Sequence, residues 1–222
     1  MWYRISFNPD TDVMGCDTQV KKLHNIALDF QDKLWDVTYL QSLKFEETID
    51  YVELKTKAKF TDILWDYSLQ GRAMFISEKV KVILADYKLL NTDFYPSIVK
   101  RGNHFRRYYC MRLTGDIANS VNYVSSEFMW YKSNEGKDYP LVFANAVEML
   151  NKKREVGPID SIRATKLYFK DDFIAQKFDL IFLGALSVGN YWTSERLKKR
   201  LDDDGVTGFK FIESGFIING GD

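Results

Sequence analysis

The chain has 222 residues, of which 45% are hydrophobic and 28% charged, and its 31 basic residues balance 31 acidic ones. A chain of this length buries roughly 70% of its unfolded surface and needs no cross-links, while the missing basic excess argues against a nucleic-acid partner, whose phosphates would select for one. Cys16 and Cys110 are too few and too far apart for a secreted disulfide scaffold, the first residues lack the layout of a signal peptide, and no apolar run nears the ~20 residues of a membrane helix, so a cytoplasmic location is expected.

In chain order, residues 2–7 read as a short strand, and Leu23, Ala27, Phe30 and Leu34 fall at helical spacing. Val52 and Leu54 alternate with polar neighbours, as on a strand. Residues 95–100 and 104–113 are predicted as a hairpin around Arg101-Gly102-Asn103. A strand over 121–131 and a turn over 133–137 follow, and residues 140–153 fit either a strand or a helix. Residues 163–169 and 178–183 read as a strand pair around Lys170-Asp171-Asp172. Together these predict one α+β domain over 1–222, with a mixed, mostly antiparallel sheet and a few capped helices. Residues 1–60 could form a lobe of their own.

An internal echo runs through this pattern. Ser77-Glu78-Lys79-Val80-Lys81 matches Ser194-Glu195-Arg196-Leu197-Lys198, and Leu84, Asp86 and Phe94 match Leu201, Asp203 and Phe211 at the same offsets. Ser is a good N-cap, because its oxygen accepts from an early helix N–H, and Glu suits the positive end of the helix dipole. Val80, Ile83, Leu84 and Tyr87 give the first copy an apolar face, Leu197 and Leu201 the second, and Gly205 is placed to end the second helix. One echo alone reads as a common module used twice.

The motifs around this echo resemble the eleventh immunity-protein family of bacterial polymorphic toxin systems. They are Thr61-Asp62-Ile63-Leu64, Met74-Phe75-Ile76 before Ser77-Glu78-Lys79-Val80, Tyr108-Tyr109-Cys110 and Ser126-Glu127-Phe128. Toward the C-terminus come Lys166-Leu167-Tyr168-Phe169, Asp179-Leu180-Ile181-Phe182, Ser194-Glu195-Arg196-Leu197 and Gly205-Val206-Thr207-Gly208-Phe209-Lys210-Phe211. The resemblance spans about residues 61–213. Leu183 stands where the family pattern has Arg, and Asn122 where it has Asp. The resemblance implies an α+β fold, no catalysis, and a role in neutralising a cognate protein toxin made by the same cell; no cofactor is expected.

Residue chemistry offers little for catalysis. His24 and His104 form no metal-binding pattern, and His24 reads as a surface residue of the predicted helix. His104 and Cys110 share a strand face but stand about 20 Å apart along it, too far for a nucleophile–base pair. No phosphate loop and no nucleophile elbow is present, so a hydrolase or transferase built on scattered carboxylates is the alternative from another class, and an adaptor is a third. Two features point to partner binding instead. Asp202, Asp203 and Asp204 close the second helix, where the dipole disfavours carboxylates, so they read either as a solvated end or as a patch for a basic partner. Tyr191 and Trp192 precede that helix and read as interface anchors or as core.

Overall fold

In the computed structural model, residues 1–24, 51–64, 73–113, 117–156, 159–186, 191–213 and 217–218 are described. The chain begins with β1 (Trp2–Phe7), α1 (Thr11–Met14) and β2 (Val20–His24). Next come β3 (Tyr51–Leu54), β4 (Ile63–Leu64), β5 (Ala73–Ser77), α2 (Glu78–Leu84), β6 (Thr92–Arg101) and β7 (His104–Leu113). A 3₁₀ turn (Ala118–Ser120) leads to β8 (Glu127–Lys132), β9 (Lys137–Leu141), α3 (Ala146–Glu155), β10 (Ser161–Tyr168) and α4 (Asp171–Ile174). The last part holds β11 (Leu180–Phe182), β12 (Tyr191–Ser194), α5 (Glu195–Asp203), β13 (Phe209–Glu213) and β14 (Ile217–Ile218).

The fold is α+β. The described strands form three sheets, ordered β2-β3-β6-β7-β5-β4, β11-β12-β1-β13 and β14-β10-β8-β9. All pairings between these strands are antiparallel except β3 with β6 and β10 with β14. The described strands of the first 60 residues are shared out: β1 enters the second sheet, while β2 and β3 widen the first.

Several predicted elements shift. Of the helix predicted near residue 30, Leu23 lies in β2, and Ala27, Phe30 and Leu34 fall outside the described residues. Residues 140–153 resolve into both readings: Pro140 lies in β9, and Asn145 caps α3 by accepting from the Glu148 N–H. The strand predicted over 121–131 begins only at Glu127, because residues 122–126 turn, with the Ser126 N–H bonded to the Asn122 carbonyl. The predicted pairing of 163–169 with 178–183 does not form. β10 pairs with β8 and β11 with β12, because α4 separates the two runs.

The larger finding is that the echo marks a duplicated unit. Ile63 faces Ile76 and Leu64 faces Phe75 across β4–β5. At positions 117 residues on, Leu180 faces Thr193 and Ile181 faces Trp192 across β11–β12. In each copy a Ser ends the strand and caps the helix: the Ser77 oxygen accepts from the Val80 N–H and the Ser194 oxygen from the Leu197 N–H. The strand after each helix then repeats its register. Phe94 opposes Met111 and Pro96 opposes Tyr109 on β6–β7, as Phe211 opposes Ile5 and Glu213 opposes Tyr3 on β13–β1. The fourth strand matches too, since Ser77 faces Tyr108 as Ser194 faces Trp2.

Unit one is therefore β4-β5-β7-β6 with α2, and unit two is β11-β12-β1-β13 with α5. The permutation is the difference. Unit one takes its third sheet position from β7, which follows β6 in the chain, whereas unit two takes it from β1, almost 200 residues upstream of β12. Sequence comparison along one diagonal cannot see that strand.

Alternation along β5 explains how the core divides. Met74 and Ile76 point into one apolar cluster that also holds Trp192, Leu197, Leu201 and Phe128, and Ala73 and Phe75 point into a second with Val52, Val99 and Cys110. A strand buried on both faces reads as a continuous apolar run, as residues 73–76 do.

Candidate functional site

The motif residues of the echo meet at the joint between the units. The buried Asp179, whose side chain is 4% exposed, accepts four hydrogen bonds. The Ser194 hydroxyl donates at 2.7 Å, the Arg196 guanidinium at 3.2 and 2.5 Å, and the Lys88 N–H at 3.0 Å. Burial pushes the Asp179 carboxyl up, but the bonds from Arg196, Ser194 and the Lys88 N–H outweigh it, and the group lies below its ordinary value. Lys88 belongs to the segment after α2, in unit one.

Asp62 makes the reciprocal contact. It accepts from the Ser77 hydroxyl at 2.9 Å, and from the N–H and hydroxyl of Thr207, after α5 in unit two, at 3.0 Å each. The backbone repeats the exchange: the Ile63 N–H donates to the Thr207 carbonyl, and the Asp179 N–H to the Lys88 carbonyl. Helices α2 and α5 pack against one another beside these bonds. Such reciprocity is that of a twofold pair, in which the same surface serves both partners. Gly208 lets the chains approach. At φ +100°, a Cβ there would stand 2.0 Å from the Ile63 carbonyl oxygen and 2.7 Å from the Thr61 hydroxyl oxygen.

A concavity of about 780 Å³ adjoins this joint, with Asp179, Glu195, Arg196, Lys177 and Phe178 in its lining. Its buried carboxylate has both oxygens occupied by donors, so Asp179 is committed to holding the units together and has no lone pair turned to a substrate. Glu78 is engaged as well, accepting from the Tyr109 hydroxyl at 2.6 Å.

The partner-binding residues read from the sequence behave differently from one another. Tyr191 and Trp192 are 0% and 2% exposed, so these rings are core and offer no surface to a partner. They sit on the strand that pairs with both β11 and β1, and burial on both faces follows from that central place. Asp202, Asp203 and Asp204 do lie at the end of α5, each paired four residues back: with Lys198 at 2.6 Å, Lys199 at 2.7 Å and Arg200 at 2.9 Å. The three cations offset the carboxylates that the helix dipole disfavours.

His24 is not a helix-surface residue. It lies in β2, stacks on Tyr51 at 4.0 Å and contacts Glu53 at 3.2 Å. Cys110 is buried, and burial pushes its thiol up to about 12, which leaves it protonated and inert. Among the described residues, no group of three or more His, Cys, Asp or Glu is placed to hold a metal ion, and no helix is long and apolar enough to cross a membrane.

Sequence composition misses the basic end of the six-stranded sheet. The β6–β7 hairpin continues beyond the register that unit two shares, through Ile98, Lys100 and Arg101 to Gly102, and returns through Phe105, Arg106 and Arg107. Lys55, Lys57 and Lys59 lie in the adjoining segment, which Arg101 ties to the hairpin by donating to the Ala58 carbonyl at 2.7 Å. The guanidiniums of Arg101 and Arg106 sit 5.1 and 4.7 Å from the centre of the Phe60 ring. A net charge of zero thus conceals a cationic end. The readable signal was the run Lys100-Arg101-Gly102-Asn103-His104-Phe105-Arg106-Arg107 itself.

No protein-family model matches the chain, and no curated protein matches its sequence.

Proposed function

We propose that this protein is an immunity protein that binds a cognate bacterial toxin and neutralises it by contact, with no chemistry of its own. The observation that carries the reading is the use made of the resembling motifs. Asp62, Ser77 and Thr207 on one side, and Asp179, Ser194 and Arg196 on the other, lock two units into one body. The carboxylates at the joint are engaged in the frame, and what the frame presents outward includes exposed apolar side chains such as Ile98 and Phe105 beside Arg107. Aromatic and Arg side chains are enriched where proteins meet one another.

Co-expression with the product of a neighbouring toxin-like gene tests it. Growth rescue and recovery of a stable complex are expected. Unabated toxicity with no complex would end the reading, as would turnover in a broad hydrolase and transferase screen that one carboxylate substitution abolishes.

A further inference from the structure

The first sheet buries one face as far as Val99 and Tyr108 and the other over a shorter stretch. Val52, Val99, Tyr108 and Cys110 lie on the covered face, in the second apolar cluster. On the opposite face Phe94, Tyr109 and Met111 pack into the main core, yet beyond Tyr109 the same face opens to solvent. There the strand pairing sets Ile98 opposite Arg107 and Lys100 opposite Phe105, all four on one side of the sheet. β3 adds Tyr51 beside Ile98 and Glu53 beside Lys100.

Two properties of this open half-face point to an occupant. First, it is apolar at its centre: Phe105 is 61% exposed and Ile98 47% exposed, neighbours across one ladder on a regular strand pair rather than side chains scattered over loops. Aromatic and Arg side chains side by side are what partner-binding hot spots are made of. Second, its charge is one-sided. Lys100 reaches over the Phe105 ring at 5.5 Å and the Tyr51 ring at 5.9 Å, with Arg107 beside them. The one acid that β3, β6 and β7 bring to this half-face, Glu53, is neutralised by Lys21 at 2.7 Å and contacted by His24 at 3.2 Å. Unit two has no counterpart to this hairpin extension among the described residues, so the repeated frame does not account for it.

We infer that this half-face docks an acidic surface of a protein partner, with Phe105 and Ile98 as its apolar anchor and Lys100 and Arg107 as its charged flank. A protein fits better than a nucleic acid because the other ring of the half-face is already covered. Tyr51 stacks on His24 and has the Lys100 ammonium at 5.9 Å, so it offers no free platform for successive bases. The inference rests on the reading above that the protein works by binding another protein. It names the chemistry of the partner's side: acidic, where the Asp202–Asp204 run would seek a basic one.

The test uses the full chain, labelled with ¹⁵N, titrated with poly-L-glutamate and, separately, with single-stranded DNA of matched charge. Amide shifts from poly-L-glutamate should centre on residues 98–107. The double variant Lys100→Glu, Arg107→Glu should weaken binding by about tenfold or more, and Phe105→Ala by a smaller factor. The charge effect should shrink as salt rises. Unchanged affinity in the double variant, shifts that centre elsewhere, or clearly tighter binding of DNA would each overturn the inference. The neighbouring gene's product provides the second arm. If it binds the parent and the double variant alike, the half-face is wrong and the immunity reading stands. If it binds neither, the immunity reading fails and the poly-L-glutamate arm alone decides the half-face. All substituted positions are exposed or half-buried, so the variants should melt as the parent does, and a matching melt separates lost binding from lost fold.

Discussion

Units one and two share a frame but hold their central carboxylate in different ways. Asp62 is 19% exposed, receives hydroxyl and backbone donors, and has Lys79 only at 3.9 Å. Asp179 is buried and receives both nitrogens of the Arg196 fork. A guanidinium fork matches a carboxylate in geometry and stays charged, whereas an ammonium is a point charge on a flexible stem. The same joint is thus ionic in unit two and chiefly neutral-donor in unit one, so the two copies should answer differently to the same substitutions.

The largest expected effect tests whether the units must approach as closely as they do. Gly208→Ala should cost roughly 3–5 kcal/mol, because a Cβ there collides with Ile63 and Thr61 backbone and side-chain atoms that cannot retreat without opening the joint. Gly205→Ala is the control. It also has positive φ but open space around it, so about 1 kcal/mol of backbone strain is expected. Denaturant melts that rank the two equally would show that the contact across the joint is unimportant.

The next effect separates the two carboxylates. Asp179→Asn should cost about 2–4 kcal/mol and Asp62→Asn about 1–2 kcal/mol, since hydrogen bonds to a buried charge are the stronger kind. Equal losses would erase the contrast. The sign with pH follows from the lowered Asp179 value: its contribution is present above the unfolded value of ~3.9 and is lost as pH falls through the folded one. The parent should therefore lose stability faster than Asp179→Asn in melts taken below about pH 4.

Capping gives a smaller and more symmetrical effect. Ser77→Ala and Ser194→Ala should each cost about 0.5–2 kcal/mol, with Ser194 the larger because the carboxylate its hydroxyl donates to, Asp179, is buried, whereas Ser77 donates to the partly exposed Asp62. The smallest effect is at the end of α5. Replacing Asp202, Asp203 and Asp204 by Asn should change stability by less than about 1 kcal/mol, as exposed i,i+4 pairs contribute little. The same triple variant checks the partner reading of that run: a slower on-rate to the toxin at low salt would support it, and an unchanged one would leave the three residues to the helix.

The sequence made the local physics of this frame legible and its long-range pairing illegible. Ser77 and Ser194 as caps, and the β6–β7 hairpin about Gly102, follow from side-chain chemistry within a few residues. The mates of β1, β10 and β11 do not, because a strand's partner is set by contacts that no local pattern encodes. Tyr191 and Trp192 show the same limit: an aromatic pair before a helix is equally good as anchor or as core, and only the strands on either side of β12 decide. The basic hairpin end was visible as a run of letters, but the balance of charges over the whole chain masked it. Only folding gathers Lys55, Lys57 and Lys59 beside it.

The permuted strand has a consequence for how the molecule is made. Unit one is local, since β4 to β7 lie within residues 63–113, and it can complete itself soon after that stretch leaves the ribosome. Unit two cannot. β1 is synthesised long before its mates and must wait for β12 and β13, which end at Glu213, so its closure comes after that of unit one and spans about 200 residues. Pairings over such separations are slow to form. Until they do, Tyr3 and Ile5 on β1, and Tyr191 and Trp192 on β12, present the apolar strand edges on which nascent chains stick to one another. Vectorial synthesis should therefore yield one finished half holding an unfinished one, and that interval is where the protein is most exposed to aggregation and most dependent on chaperones.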